Sequence, residues 1–207
     1  MAEKPILPSD SKLSPYLQGN LDSLCSVYAV INALRWTLAD HPLSAKGEHW
    51  RILFAELNDY AVKELGLLSL SSQGMGLNGM IWLLRTAQQH MAEAHAITFK
   101  TYRPFALRRP ESSTCVIGEI KEHLHSPGTA VITAVYGKLN HWCVIKGINE
   151  KHAILFDSDR LYQTPLTIFQ LTAHSNSASH SSRAQTGSIL LLSMDKTTAC
   201  KNIMQHS

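Results

Sequence analysis

The sequence predicts an α+β fold in which an N-terminal helical half packs on a C-terminal antiparallel β-sheet. Apolar residues recur at helical spacing through the first half of the chain, and short strand-like apolar runs replace them in the second half. Short turn sequences separate several of the later runs, which favours hairpins. A length of 207 residues, 44% of them hydrophobic, suits one domain with a substantial core.

We interpret the chain as a single domain over residues 1–207. The helical half covers about 18–95 and the mainly β half about 96–195, with extended tails at 1–17 and 196–207. Three prolines punctuate the first tail, where their fixed φ and missing N–H favour extended chain. This order of helices followed by strands is typical of α+β proteins.

The most apolar stretch spans residues 24–36 and predicts a helix that is buried on nearly every side. Asp22 and Ser23 are good N-cap residues, which places Cys25 in the first helical turn. A thiol in that position meets the positive end of the helix dipole and free backbone N–H groups. Such surroundings lower a thiol pKa from about 8.5 into a range of roughly 3.5–7.5, especially beside a protonated histidine. Gln18 lies upstream, where its side-chain amide can return to the thiol.

Two more helices are predicted at residues 46–65 and 77–92. The buried face of the first comprises Trp50, Leu53, Phe54, Leu57, Tyr60 and Ala61, and that of the second comprises Met80, Leu83, Leu84, Ala87 and Met91. Gly66 is a suitable residue to end the first of these helices. Trp82 is also expected in the core, because large apolar side chains at helical spacing are usually buried.

The second half changes to strand-like periodicity. Strands are predicted at residues 96–102, 130–136, 141–148, 152–156 and 189–194, with an amphipathic helix at 114–125. Residues 103–113 contain proline and are predicted to form a loop. Residues 173–187 are rich in Ser, Ala and His without a packing pattern, so a mobile loop is expected there.

Charge and apolar content exclude several classes of function. The net charge is only +3 and no long basic run occurs, so no nucleic-acid partner is expected. Apolar runs fall short of the 18 or more residues of a spanning helix, so we expect a soluble chain without membrane insertion. The N-terminus lacks a secretory apolar region, and the four cysteines form no C-x-x-C pair. The expected location is therefore cytoplasmic, or outside the cell by export without a cleavable Sec signal.

No cofactor and no metal are expected. The sequence contains neither a phosphate-binding loop nor a dinucleotide fingerprint. His90 with His95, and His123 with His125, are the histidine pairs that invite a metal interpretation. Neither pair is accompanied by cysteines or carboxylates at the spacing of a structural zinc site.

The predicted hairpin of residues 141–156 supplies partners for Cys25. His141 begins one strand and Asp157 closes the next, so antiparallel pairing brings both residues to the same end of the sheet. A carboxylate there holds the imidazole in one tautomer and orientation. Asp159 is an alternative for this orienting role. Each residue also has a structural interpretation: a core thiol, a strand-end histidine, and aspartates that form turns.

Cys143 lies two residues beyond His141 on the same face of a regular strand, and it is predicted to be a core residue. A nucleophile, a base and an orienting group on separate elements are the pattern that nucleophilic catalysis requires.

The order Gln18, then Cys25 at a helix start, then His141 and Asp157 on successive strands, resembles the papain-like cysteine peptidases. The likeness is to the compact bacterial branch, which includes bacteriocin-leader-processing peptidases and several toxin and effector enzymes. In architecture it covers most of the chain, and in motifs it covers residues 18–36 and 139–159.

The resemblance implies Cys25 as nucleophile, His141 as general base and acid, and Asp157 as the residue that orients His141. It also implies Gln18 as an oxyanion donor together with the backbone N–H of Cys25. The spacing from Gln18 to Cys25 is about one residue longer than in many relatives, so Asn20 is a substitute donor.

The sequence leaves three functions open. The first is a cysteine peptidase that cleaves amide bonds of a peptide or protein substrate through an acyl-enzyme thioester. The second, on the same fold, is a glutamine deamidase or transglutaminase of effector or toxin type. The third is a catalytically silent domain that binds a partner protein, for which Cys25 would have ordinary thiol reactivity.

Overall fold

The computed structural model describes residues 13–19, 23–66, 74–137, 139–171 and 182–195. Four α-helices lie in this part of the chain: α1 (Cys25–Thr37), α2 (Gly47–Leu65), α3 (Leu77–His95) and α4 (Ser113–Leu124). None of these helices is both long enough and apolar enough to cross a membrane.

The strands form one antiparallel sheet. They are β1 (Phe99–Tyr102), β2 (Thr129–Tyr136), β3 (His141–Ile148), β4 (His152–Leu155), β5 (Gln163–Pro165), β6 (Arg183–Ala184) and β7 (Leu190–Met194). The order across the sheet is β1-β7-β2-β3-β4-β5, and the short β6 pairs with β2. Strands β2, β3 and β4 follow one another as hairpins. The predicted α+β class, with helices first and an antiparallel sheet second, is therefore confirmed.

The sheet is covered on both faces. On one side α1, α2 and α3 form the larger core with alternate residues of β2, including Ala130 and Ile132. On the other side Val116 and Ile120 of α4 pack against Val131 in the smaller core. Because both faces are covered, β2 is buried along nearly its whole length, which explains its unbroken apolar sequence.

The polar residues of α1 hold the segment 13–19 across the helix. The Asn32 side chain accepts from the backbone N–H of Tyr16 at 2.8 Å and donates to the carbonyl of the same residue at 3.0 Å. Arg35 donates to the Ser14 carbonyl at 2.7 Å, and its guanidinium lies 4.0 Å from the centre of the Tyr16 ring. These bonds satisfy polar groups that would otherwise be costly to bury. They also fix the segment that carries Gln18.

Several local predictions need correction. Leu24, and not Ser23, occupies the N-cap position of α1, and an apolar side chain at that position makes no capping hydrogen bond. Asp22 lies outside the described residues. Trp82 is 49% exposed, with the Arg85 guanidinium 4.8 Å from its ring centre, because it falls on the outer face of α3. The predicted buried face of α3 is confirmed in full.

The predicted loop at 173–187 is partly ordered. Its described portion holds β6 and a short 3₁₀ turn, Thr186–Ser188. The rest of that loop, residues 1–12 of the first tail and the whole tail at 196–207 lie outside the described residues.

Candidate active site

His141 and Asp157 are in direct contact. His141 is the first residue of β3, and Asp157 lies two residues after the end of β4, at the same end of the hairpin. The Nε2 atom of His141 lies 3.0 Å and 3.1 Å from the two carboxylate oxygens of Asp157. Both side chains are buried. The hairpin therefore forms a shielded imidazole–carboxylate pair.

Cys25 approaches this pair from the helical half. It is the first residue of α1, so its backbone N–H is one of those without an intrahelical acceptor. Its side chain lies beside His141 at the same cavity, close enough for its interaction to raise the pKa of the imidazole. Because Nε2 of His141 is engaged by Asp157, the remaining ring nitrogen, Nδ1, is the one available to the thiol.

The packing of α1 against the sheet sets this approach. Trp36, at the other end of α1, packs on the buried ring of Phe156 with the ring centres 5.4 Å apart. Phe156 directly precedes Asp157, and its backbone N–H bonds to Val144 of β3 at 2.9 Å. The end of α1 is thereby packed against the residue that precedes Asp157.

The surroundings of His141 favour its protonated form. Burial lowers the pKa of His141, but hydrogen bonds and electrostatic attraction from Asp157 and Cys25 outweigh burial and raise the pKa from 6.5 to about 10. An imidazolium between a thiol and a carboxylate matches the charge distribution of an activated thiolate–imidazolium pair.

Two further groups lie next to the Asp157 carboxylate. The backbone N–H of Asp159 donates to Oδ1 of Asp157 at 2.8 Å, whereas the Asp159 side chain is exposed. The thiol of Cys143, fully buried on β3, lies within 4.8 Å of the same carboxylate. Burial and the adjacent charge of Asp157 raise the pKa of Cys143 well above its ordinary value, so Cys143 stays a neutral thiol. Asp157, rather than Asp159, is thus the carboxylate that contacts His141.

Gln18 is tied to the same loop. Its backbone N–H donates to the Ser158 carbonyl at 3.1 Å, and its side-chain Oε1 accepts from Ser158 Oγ at 3.4 Å. The amide oxygen is the acceptor in this bond, so the NH₂ group is the end of the Gln18 side chain that can donate a hydrogen bond. Gln18 is absent from the described residues that line the cavity beside Cys25. Asn20, the alternative donor, lies outside the described residues.

A small cavity opens over Cys25 and His141. Its volume is about 120 Å³. The other described residues of its wall are Gly74, Met75, Gly76, Ala134, Val135, Tyr136, Asn140 and Trp142. The indole N–H of Trp142 donates to the Met75 carbonyl at 2.7 Å, which anchors the turn before α3 at the cavity.

The loop 66–79 was expected to shape a pocket, but the sequence alone did not single out Met75 and its neighbouring glycines within it. Residues 74–76 carry no catalytic side chain, so only the tertiary contact with Trp142 identifies them.

Two groups of metal-ligating side chains occur among the described residues. One is His141, Cys143 and Asp157, and the other is His49, His90 and His95. We interpret the first as part of the imidazole–carboxylate arrangement, because His141 bonds to Asp157 and the Cys143 thiol is buried beside them. The second lies outside the cavity wall described above.

Comparison of the chain with models of known protein families, with curated proteins and with solved structures gave no match. The chemistry of this cavity is therefore inferred from its side chains.

Proposed function

We propose that the protein is a thiol hydrolase of papain-like type, which cleaves amide bonds of a peptide or protein through a thioester on Cys25. The observation that carries the proposal is the buried His141–Asp157 pair with the Cys25 side chain beside it at one cavity. A nucleophile, a base and an orienting carboxylate in this order are the requirement for acyl transfer by a thiol. The cavity over Cys25 and His141 supplies access for a carbonyl group.

Each reaction step uses one of these three residues. The Cys25 thiolate attacks the carbonyl carbon, and a sulfur–carbon bond forms as the carbonyl oxygen becomes negative. The His141 imidazolium then gives its proton to the leaving nitrogen, and the carbon–nitrogen bond breaks. Neutral His141 next takes a proton from water, whose oxygen attacks the thioester and releases the acid and the free thiol. Asp157 keeps the ring oriented throughout.

The oxyanion needs preorganised donors. The backbone N–H of Cys25 belongs to the first residue of α1 and has no intrahelical acceptor. The helix dipole adds positive potential at this end of the helix. Gln18, fixed on Ser158, is the second proposed donor through its side-chain NH₂. Removing one such donor typically costs about 10²–10³ in kcat, and this is the effect expected for Gln18→Ala.

Glutamine deamidation is a second candidate, and the size of the cavity favours it. A volume of about 120 Å³ is well below the roughly 300–1,000 Å³ of ordinary ligand pockets. A single side chain such as glutamine fits such a space better than several residues of substrate do. The same thioester chemistry then releases ammonia, and transfer of the acyl group to another amine would make the enzyme a transglutaminase.

The test is the rate of Cys25 alkylation by iodoacetamide as a function of pH, in the wild type and in His141→Ala. His125→Ala is the matched control, because His125 is an exposed histidine outside the cavity wall. We expect a high rate already at about pH 6 in the wild type and the control, and its loss in His141→Ala.

A rate that rises only near pH 8.5 and is equal in all three proteins would contradict the proposal. The domain would then be a catalytically silent binding module. If the thiol is activated, mass spectrometry of candidate substrates separates the two chemistries: peptidase activity shortens a chain, whereas deamidation keeps its length and converts an amide into an acid.

A further inference from the structure

Three histidines meet between α2 and α3. His49 lies in the first turn of α2, and His90 and His95 lie in the last two turns of α3. Each histidine offers one ring nitrogen as a ligand atom, and these three nitrogens all lie within 4.8 Å of one another. The rings pack closely, with centres 4.1 Å apart for His49 and His95 and 5.5 Å apart for His49 and His90. The fold thus brings His49 beside His95, which lies 46 residues away in the sequence, and beside His90.

The hydrogen bonding of this cluster is incomplete. His95 Nε2 lies 2.6 Å from His49 Nδ1, and His90 Nδ1 lies 2.6 Å from Glu56 Oε2. The opposite nitrogens, His49 Nε2 and His90 Nε2, are buried and have no hydrogen-bond partner among the described residues. Buried polar atoms without partners are uncommon in native structures and call for an explanation, such as a role as ligands of an ion.

We propose that His49, His90 and His95 form a binding site for a divalent transition-metal ion of the zinc type, with Glu56 as its outer carboxylate. Imidazole nitrogens suit Zn²⁺, Cu²⁺ and Ni²⁺, and three histidines with one open position make a common zinc ligand set. Glu56 binds the ring nitrogen of His90 opposite to the unpartnered one, which is the arrangement that carboxylates adopt behind metal-bound histidines.

The geometry of the cluster agrees with this proposal. Zn–N bonds of about 2.0–2.1 Å in a tetrahedral site separate ligand nitrogens by about 3.3 Å. The nitrogen separations in the cluster, from 2.6 Å for His49 and His95 up to 4.8 Å, lie within about 1.5 Å of that value.

A bound ion would join α2 to α3 at a point remote in sequence from Cys25. The contacts His49–His95 and Glu56–His90 show that the two helices run antiparallel here. The metal site is independent of the proposed hydrolase function, since none of its four residues lines the cavity over Cys25.

The test is titration of the full-length Cys25→Ala protein with Zn²⁺ against a chromophoric chelator. The Cys25→Ala background removes a thiol that itself binds zinc. His90→Gln and His95→Gln are the test variants, and His125→Gln, at an exposed position, is the matched control. We expect one Zn²⁺ per chain in the background and the control, and a loss of affinity of more than about 100-fold in both test variants. Glu56→Gln should weaken binding by about 10–100-fold.

Two additional measurements guard against misfolding and against binding elsewhere. Circular dichroism of the metal-free variants checks their fold, and Zn²⁺ should raise the melting temperature of the background and the control only. Co²⁺ should give a visible spectrum without a thiolate charge-transfer band. Absence of Zn²⁺ binding, equal binding in His95→Gln and His125→Gln, or a thiolate band would each overturn the proposal.

Discussion

Asp157→Asn is the substitution that most directly tests the electrostatics of the imidazole–carboxylate pair. It keeps the size of the side chain but removes the charge that faces His141 Nε2 at 3.0 Å. The pair is buried, so solvent does not screen its interaction appreciably. We expect the variant to be less stable at acidic and neutral pH, with a cost that shrinks as the pH rises.

The magnitude follows from the raised pKa of His141. Between pH 6.5 and about 10 the native state keeps a proton on His141 that the unfolded state loses. In that window this group makes the free energy of unfolding fall by about 1.4 kcal/mol per pH unit. The stabilisation is complete below pH 6.5 and is lost as the pH approaches about 10. Breaking a buried ion pair by removing one partner costs about 3–5 kcal/mol, and this is the difference expected near pH 6.

The assay is urea unfolding of the wild type and Asp157→Asn at about pH 6, 8 and 10, with free energies from linear extrapolation. Asp159→Asn is the matched control, because Asp159 contacts Asp157 through its backbone N–H and the substitution retains that group. The control should follow the wild type at every pH. A difference between the wild type and Asp157→Asn that stays constant from pH 6 to 10 would refute a raised His141 pKa as its cause.

Three other predictions concern residues outside the Cys25, His141 and Asp157 side chains. Cys143→Ala removes the buried thiol beside Asp157, and we expect a loss of about 1–3 kcal/mol of unfolding free energy in urea. Because burial raises its pKa, Cys143 of the native wild type should be unreactive to iodoacetamide. Gly79→Ala places a Cβ against the Met75 side chain, so that side chain must move and the alkylation rate of Cys25 should change. An unchanged rate would show that the turn before α3 does not shape the cavity. Ser112→Ala removes the N-cap bond to the Cys115 N–H and should cost about 1 kcal/mol of unfolding free energy without altering that rate.

The sequence alone predicted those helices and strands in which the apolar periodicity is long and unbroken. Apolar spacing over about five turns predicted the buried face of α3, and a continuous apolar run predicted β3 with its observed bounds. The short connection between β3 and β4 predicted a hairpin, and antiparallel geometry alone then placed His141 near Asp157. These features depend on local pattern and chain connectivity.

The remaining features depend on contacts that local pattern does not encode. Strands β5 and β6 have only three and two residues, too few to show a period, and their pairing is set by the strands beside them. Alternation placed Cys143 in the core, yet its position beside Asp157 depends on the path of the chain after β4. His49 lies 46 residues from His95, so no motif spacing links it to the other histidines.

The distribution of the site along the chain has a consequence for the order of folding. His141 and Asp157 are 16 residues apart and share a hairpin, so their pairing closes only a short loop. Cys25 belongs to the opposite half of the sequence and joins them only when α1 docks on the sheet. Such long-range contacts generally form later than local ones. A partly folded chain would therefore hold an assembled imidazole–carboxylate pair without its thiol, and the proposed nucleophile would reach that pair only with the last tertiary contacts.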